Sequence, residues 1–134
     1  MRILTLLALL VFSEALIAVE LELSKEYHVV TMNGKAIDNI EGLTAPTLLL
    51  DAKEKRAFGT SGINRYGGGY EITNGLLTIN QPFSTMMAGP EAAMKAEQDF
   101  LAIITSPMNI TVDPKGLLLT GAKGSMVIAK TENK

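Results

Sequence analysis

The chain has 134 residues, 47% of them hydrophobic, which is enough for one domain with its own core and too few for two ordinary ones. Its 12 basic and 14 acidic residues leave a formal charge of −2, so there is no basic field to hold a phosphate backbone, which argues against nucleic acid as a partner. Cysteine is absent, which removes disulfides, thiolate catalysis, cysteine-based zinc sites and lipid attachment through a thiol.

The first residues read as an export signal. Arg2 precedes an almost unbroken apolar run, Ile3 to Phe12, which is followed by Ser13, Glu14 and Ala15. A basic start, an apolar middle and small residues at a cut site make 1–15 a signal peptide, with cleavage after Ala15 or, alternatively, Ala18. The apolar run falls well short of the ~20 residues needed to cross a bilayer, so no transmembrane span is expected in the mature protein. With no cysteine to acylate, the product is expected to be periplasmic or secreted and not a lipoprotein.

Strand-like pieces then follow one another: Glu26 to Met32, Thr47 to Asp51, Ala57 to Thr60, Gly69 to Thr73 and Leu76 to Ile79. In the first, simple alternation puts Tyr27, Val29 and Thr31 on one face and His28, Val30 and Met32 on the other. Asn74-Gly75 tolerates positive φ at both positions and predicts a two-residue hairpin. Asp113-Pro114-Lys115-Gly116 joins Met108–Val112 to Leu117–Thr120, and Gly121-Ala122-Lys123-Gly124 leads into Met126–Lys130, which makes an antiparallel meander.

Between these strands, Pro90 to Ile104 predicts a helix. Pro90 suits a first turn, Glu91 favours the dipole, and Pro107 blocks continuation. Ala93, Ala96, Phe100 and Ile104, flanked by Met94 and Leu101, form an apolar stripe, while Lys95, Gln98 and Asp99 face away. The expected fold is therefore α+β: an antiparallel, strongly curved sheet or half-open barrel of about seven or eight short strands, packed against one helix.

Three segments carry a family likeness: Gly62-Ile63-Asn64-Arg65-Tyr66-Gly67-Gly68-Gly69-Tyr70, Ser84-Thr85-Met86-Met87-Ala88-Gly89 continuing to Met94, Glu97 and Phe100, and Tyr27 to Lys35 with its Asn-Gly-Lys turn. Their order and spacing resemble the META domain of the HslJ-like family, over residues 24–131. Tyr27 stands where tryptophan is common in that family. Ile63 and Gly89 stand where many bacterial relatives carry cysteine, a paired loss that the resemblance implies is the loss of one disulfide, with Ile63 filling the space. The resemblance also implies an exported or envelope-associated protein linked to stress tolerance, with no established enzyme activity and no cofactor.

Weighing the chemistry residue by residue leads to the same place. His28 is the single histidine, too little for a transition-metal site without thiolates. Ser61, His28 and Asp51 could be nominated as a catalytic set, but their context lacks a nucleophile elbow. Gly67-Gly68-Gly69 is not followed by Gly-Lys-Ser/Thr or a helix start, so a glycine bulge or a tight bend is expected and Tyr70 is read as opening a strand. Glu97 sits at the edge of the helical stripe; if buried it needs donors, and Asn64, Arg65 or Thr85 could latch helix to sheet. Met86, Met87 and Phe83 are expected first to pack in the core; the alternative is that they line an apolar pocket or a partner groove. Asn64, Arg65, Tyr66, Tyr70, Thr85, Met86, Met87 and Glu97 are thus the candidate ligand or structural residues. The expected partner is an unknown protein or envelope component; the alternative is an apolar ligand carried inside the barrel.

Overall fold

The computed structural model describes residues 21–132; the expected signal segment, 1–15, lies outside the described residues. The elements are β1 (Glu26–Met32), β2 (Lys35–Ala36), β3 (Thr47–Asp51), β4 (Arg56–Thr60), β5 (Arg65–Thr73), β6 (Leu76–Ser84), the helix α1 (Glu91–Ile104), β7 (Met108–Asp113), β8 (Gly116–Gly121) and β9 (Gly124–Lys130). Each strand pairs antiparallel with its neighbour in the order β1-β3-β4-β5-β6-β7-β8-β9, and β9 returns to β1, from Tyr27↔Lys130 to Met32↔Met126. The curved sheet therefore closes into an eight-stranded barrel. The short β2 is an added strand, held to β1 by Thr31↔Ala36 and Met32↔Lys35.

Short turns explain the antiparallel path. Asn74 (φ 53) and Gly75 (φ 79) make the β5–β6 hairpin, and Asn33 (φ 52) with Gly34 (φ 81) does the same between β1 and β2. The alternation expected for β1 breaks at Val30, where the register against β9 shifts between Val29 and Thr31. This bulge turns Met32 inward beside Tyr27 and Val29, and Thr31 outward.

Alternate residues of the strands fill the barrel: Leu48 and Leu50, Ala57, Tyr66, Leu77 and Ile79, Met108, Leu119, Met126 and Ile128 are all buried. Eight strands enclose a space just wide enough for such side chains to occupy. α1 lies across the mouth where β4, β6 and β8 end. Its Ile103 reaches the β8–β9 turn, Pro90 abuts Gly42, and Phe100 packs edge-on to Tyr66, ring centroids 5.4 Å apart. Pro90 is the N-cap, just outside the first turn where it was expected.

Two strands run four or more residues beyond their sequence patterns. β5 begins at Arg65, not at Gly69 or Tyr70, and β6 runs past Ile79 to Ser84. The three glycines lie inside β5 at a bulge between Gly67 and Gly69, as expected of a glycine bulge. At Gly68 a Cβ would stand 2.8 Å from the Asn80 carbonyl oxygen, so β6 passes too close for any side chain there.

Candidate functional site

The helix sets the site. Its buried face comprises Ala93, Ala96, Glu97, Phe100, Ile103 and Ile104, so Glu97 stands in the middle of the stripe, Ile103 joins it, and Met94 and Leu101 flank it half-buried. Burying a carboxylate costs several kcal/mol unless its lone pairs are met. Here the Ser61–Asn64 loop between β4 and β5 meets them. Oε2 accepts from the Ser61 hydroxyl at 2.7 Å, the Ile63 amide at 3.0 Å and the Asn64 amide at 2.7 Å, and Oε1 accepts from Asn64 Nδ2 at 2.8 Å.

No lysine or arginine among the described residues forms an ion pair with Glu97. Burial pushes its pKa up, but the bonds from Ser61, the Asn64 amide, the Asn64 side chain and the Ile63 amide outweigh this and hold it below the ordinary value. The group is thus a charged acceptor tied by neutral donors.

Asn64 passes the linkage on to a second segment. Its Nδ2 also donates to the Met87 carbonyl at 3.0 Å, and its Oδ1 accepts from the Met87 amide at 2.6 Å and the Thr85 hydroxyl at 2.9 Å. The Arg65 amide donates to Thr85 Oγ1 at 3.1 Å, and the Thr85 amide donates to the Arg65 carbonyl at 3.0 Å. Three parts of the chain, 61–65, 85–87 and Glu97, are therefore laced together.

The structure sorts the candidate residues. Asn64 holds Glu97 directly, and Thr85 does so through Asn64. Arg65 contributes only main-chain groups while its side chain is exposed, so it is not a donor to Glu97. Tyr66 points into the barrel and donates to the Thr47 carbonyl at 2.7 Å; burial pushes its phenol far up. Tyr70 is half-buried against the core. Met86, Met87 and Phe83 do not pack in the core as expected, and the two methionines line no interior pocket: Met86 and Met87 are 90% and 60% exposed, because that segment is held by its main chain with the side chains turned outward. Ser61 and the Ile63 amide were not foreseen as donors. The signal for Ser61 was faint: a hydroxyl three residues before Asn64, in a loop that must face a helix acid.

Ile63 fills the space proposed for it. A Cβ on Gly89 would stand 2.8 Å from Ile63 Cδ1 and 3.2 Å from Cγ1, so the two positions are in contact. The nominated Ser61, His28 and Asp51 are bonded elsewhere: Ser61 to Glu97, His28 Nδ1 with the Thr131 hydroxyl at 3.1 Å, Asp51 to the Lys53 amide at 3.1 Å.

Outside the barrel, register aligns Leu49, Phe58, Gly67 and Phe83 across β3 to β6. Phe58 is 43% and Phe83 62% exposed. The Arg56 guanidinium lies 5.9 Å from the Phe83 ring centroid, a cation–π contact, and a cleft of about 390 Å³ beside Phe58 is lined by Glu26, Thr60 and Arg65. No helix among the described residues is long and apolar enough to cross a membrane.

The fold itself is similar to that of solved proteins. The chain resembles a protein solved by NMR, at TM-score 0.62 and 19% identity over 78% of this chain and 87% of that one. It also resembles a Burkholderia xenovorans protein solved by NMR, at TM-score 0.64 and 21% identity over 83% of this chain and 84% of that one. At such identities the likeness establishes the fold alone. No curated protein matches by sequence. A family model, the META domain, matches residues 19–134, nearly the whole chain, and the chain belongs to the META domain family.

Proposed function

We propose that this META domain is a non-catalytic, stress-related binding protein, exported to the periplasm or secreted, which docks a protein or envelope component on the rim formed by Phe58, Phe83, Met86 and Met87. One observation carries the reading. The buried Glu97–Asn64 linkage fixes the main chain at Thr85 and Met87, while the large apolar side chains of this rim stay exposed. Large apolar side chains left exposed together on an outer surface mark interaction sites, and Arg56 and Arg65 beside them suit carboxylates on the partner.

A photo-crosslinking residue at Phe83, compared with one at Thr120 on β8, tests this in cells of the native source. A discrete adduct from position 83 alone supports the docking rim; equal labelling from both positions rejects it. The carrier reading has less support, because interior positions are taken by Leu48, Leu50, Leu77, Phe100 and Met108, each at most 1% exposed. Native mass spectrometry of source-purified protein discriminates: a co-purifying lipid favours the carrier, a ligand-free mass the rim.

A further inference from the structure

We infer that Met86 and Met87 form a sulfoxidation site, a place where a hydroperoxide oxidises surface thioethers and makes the rim polar without disturbing the fold. The idea extends the docking rim, but its chemistry stands apart from any partner.

The described methionines span the range of exposure, with Met94 half-buried on α1 between the extremes. Met32, Met108 and Met126 are buried in the barrel, whereas Met86 and Met87 lie adjacent in an exposed segment. Thioether oxidation follows access to the sulfur, so an oxidant in solution meets these two first. In the step, sulfur attacks the distal peroxide oxygen; an S–O bond forms and the O–O bond breaks. Sulfur loses two electrons, and hydrogen peroxide is reduced to water after proton transfer.

What separates this pair from an ordinary exposed methionine is how its backbone is held. The buried linkage uses only the main-chain N–H and C=O of Met87, both bound by the Asn64 side chain, and the hydroxyl of Thr85. Neither thioether is part of it. Oxidation therefore adds a dipole to each side chain while leaving the bonds to Glu97 and Asn64 in place. An exposed apolar pair, held in position, becomes a polar pair held in the same position.

The full chain treated with hydrogen peroxide and mapped by peptide mass spectrometry tests the inference. Sulfoxide should appear at Met86 and Met87 about tenfold or more faster than at Met32, Met108 and Met126, and methionine sulfoxide reductases should reverse it. Retention on a phenyl column should fall on oxidation, with the thermal midpoint unchanged; a Met86→Leu/Met87→Leu variant should show no such fall. Similar rates at Met86, Met87 and the three buried methionines, unaltered retention after oxidation, or loss of the folding transition once Met86 and Met87 are oxidised would each overturn it. Because no partner enters these measurements, their failure leaves the crosslinking result at Phe83 intact, and failed crosslinking leaves them intact.

Discussion

Residues 61–64 and 83–87 are bonded to one another, yet they treat their side chains in opposite ways. In the first segment side chains share the joining with the Ile63 and Asn64 amides: Ser61 and Asn64 reach the helix carboxylate, and Ile63 packs on Gly89. In the second, apart from the Thr85 hydroxyl, joining falls to the main chain, and Phe83, Met86 and Met87 are left outside. The fold depends on which side chains occupy the inner segment. On the outer one it depends chiefly on backbone position, so those side chains are free to serve binding or chemistry.

The largest break in that contrast comes from the inner segment. Glu97→Ala strands four hydrogen-bond donations in a buried place and should destabilise the domain by about 3–5 kcal/mol. Asn64→Ala removes the hub and should cost a comparable amount, on the order of 2–4 kcal/mol. Urea unfolding of both measures the latch; an unfolding midpoint unchanged in Glu97→Ala would refute it. Ile63→Cys/Gly89→Cys should instead close a disulfide, since a Gly89 Cβ already meets both γ-branch directions of Ile63. Closing that loop offers about 3 kcal/mol, reduced by lost isoleucine packing, and non-reducing mass spectrometry together with unfolding in reductant would reveal it.

A smaller effect is electrostatic. The Glu97 pKa is lowered in the folded chain, so the unfolded chain binds a proton more readily at acid pH. Its contribution is therefore complete above the unfolded carboxyl value, near 4.5, and is lost as pH falls through the lower folded value. Stability should rise with pH across that window, and Glu97→Gln should flatten the rise while lowering the plateau. If urea midpoints of the parent and Glu97→Gln ran parallel from acid to neutral pH, the carboxylate would have no special standing.

How far the sequence could be read follows the same division. The Asn74-Gly75 hairpin, the meander after Pro107 and the Pro90–Ile104 helix were legible because turn chemistry and periodicity act locally. The start of β5 was not: three glycines mask a strand whose reason is the close passage of β6 over Gly68. The phase of β1 was lost at a bulge set by β9, a partner about a hundred residues away in sequence. At the site, an acid on an apolar stripe announces that donors must exist, which singled out Asn64 and Thr85. It cannot rank one polar neighbour over another, so Arg65 was overvalued and Ser61 missed.

The smallest stability effect belongs to the outer segment, and there the contrast can be sharpened. Phe83 stacks over Gly67 and beneath the Arg56 guanidinium, but most of its surface faces solvent. Phe83→Ser gives up little burial, so unfolding free energy should move by about 0.5 kcal/mol or less, as for other exposed positions. A docking partner would nonetheless lose an aromatic anchor, and anchors of that kind commonly contribute 2 kcal/mol or more, roughly a thirtyfold loss of affinity. With a photo-crosslinker at Phe58, Phe83→Ser should abolish the adduct while the thermal midpoint stays put. An adduct that survives would mean Phe83 merely shields Gly67 and the bulge beneath it, and the apolar row would revert to being the outer skin of the barrel.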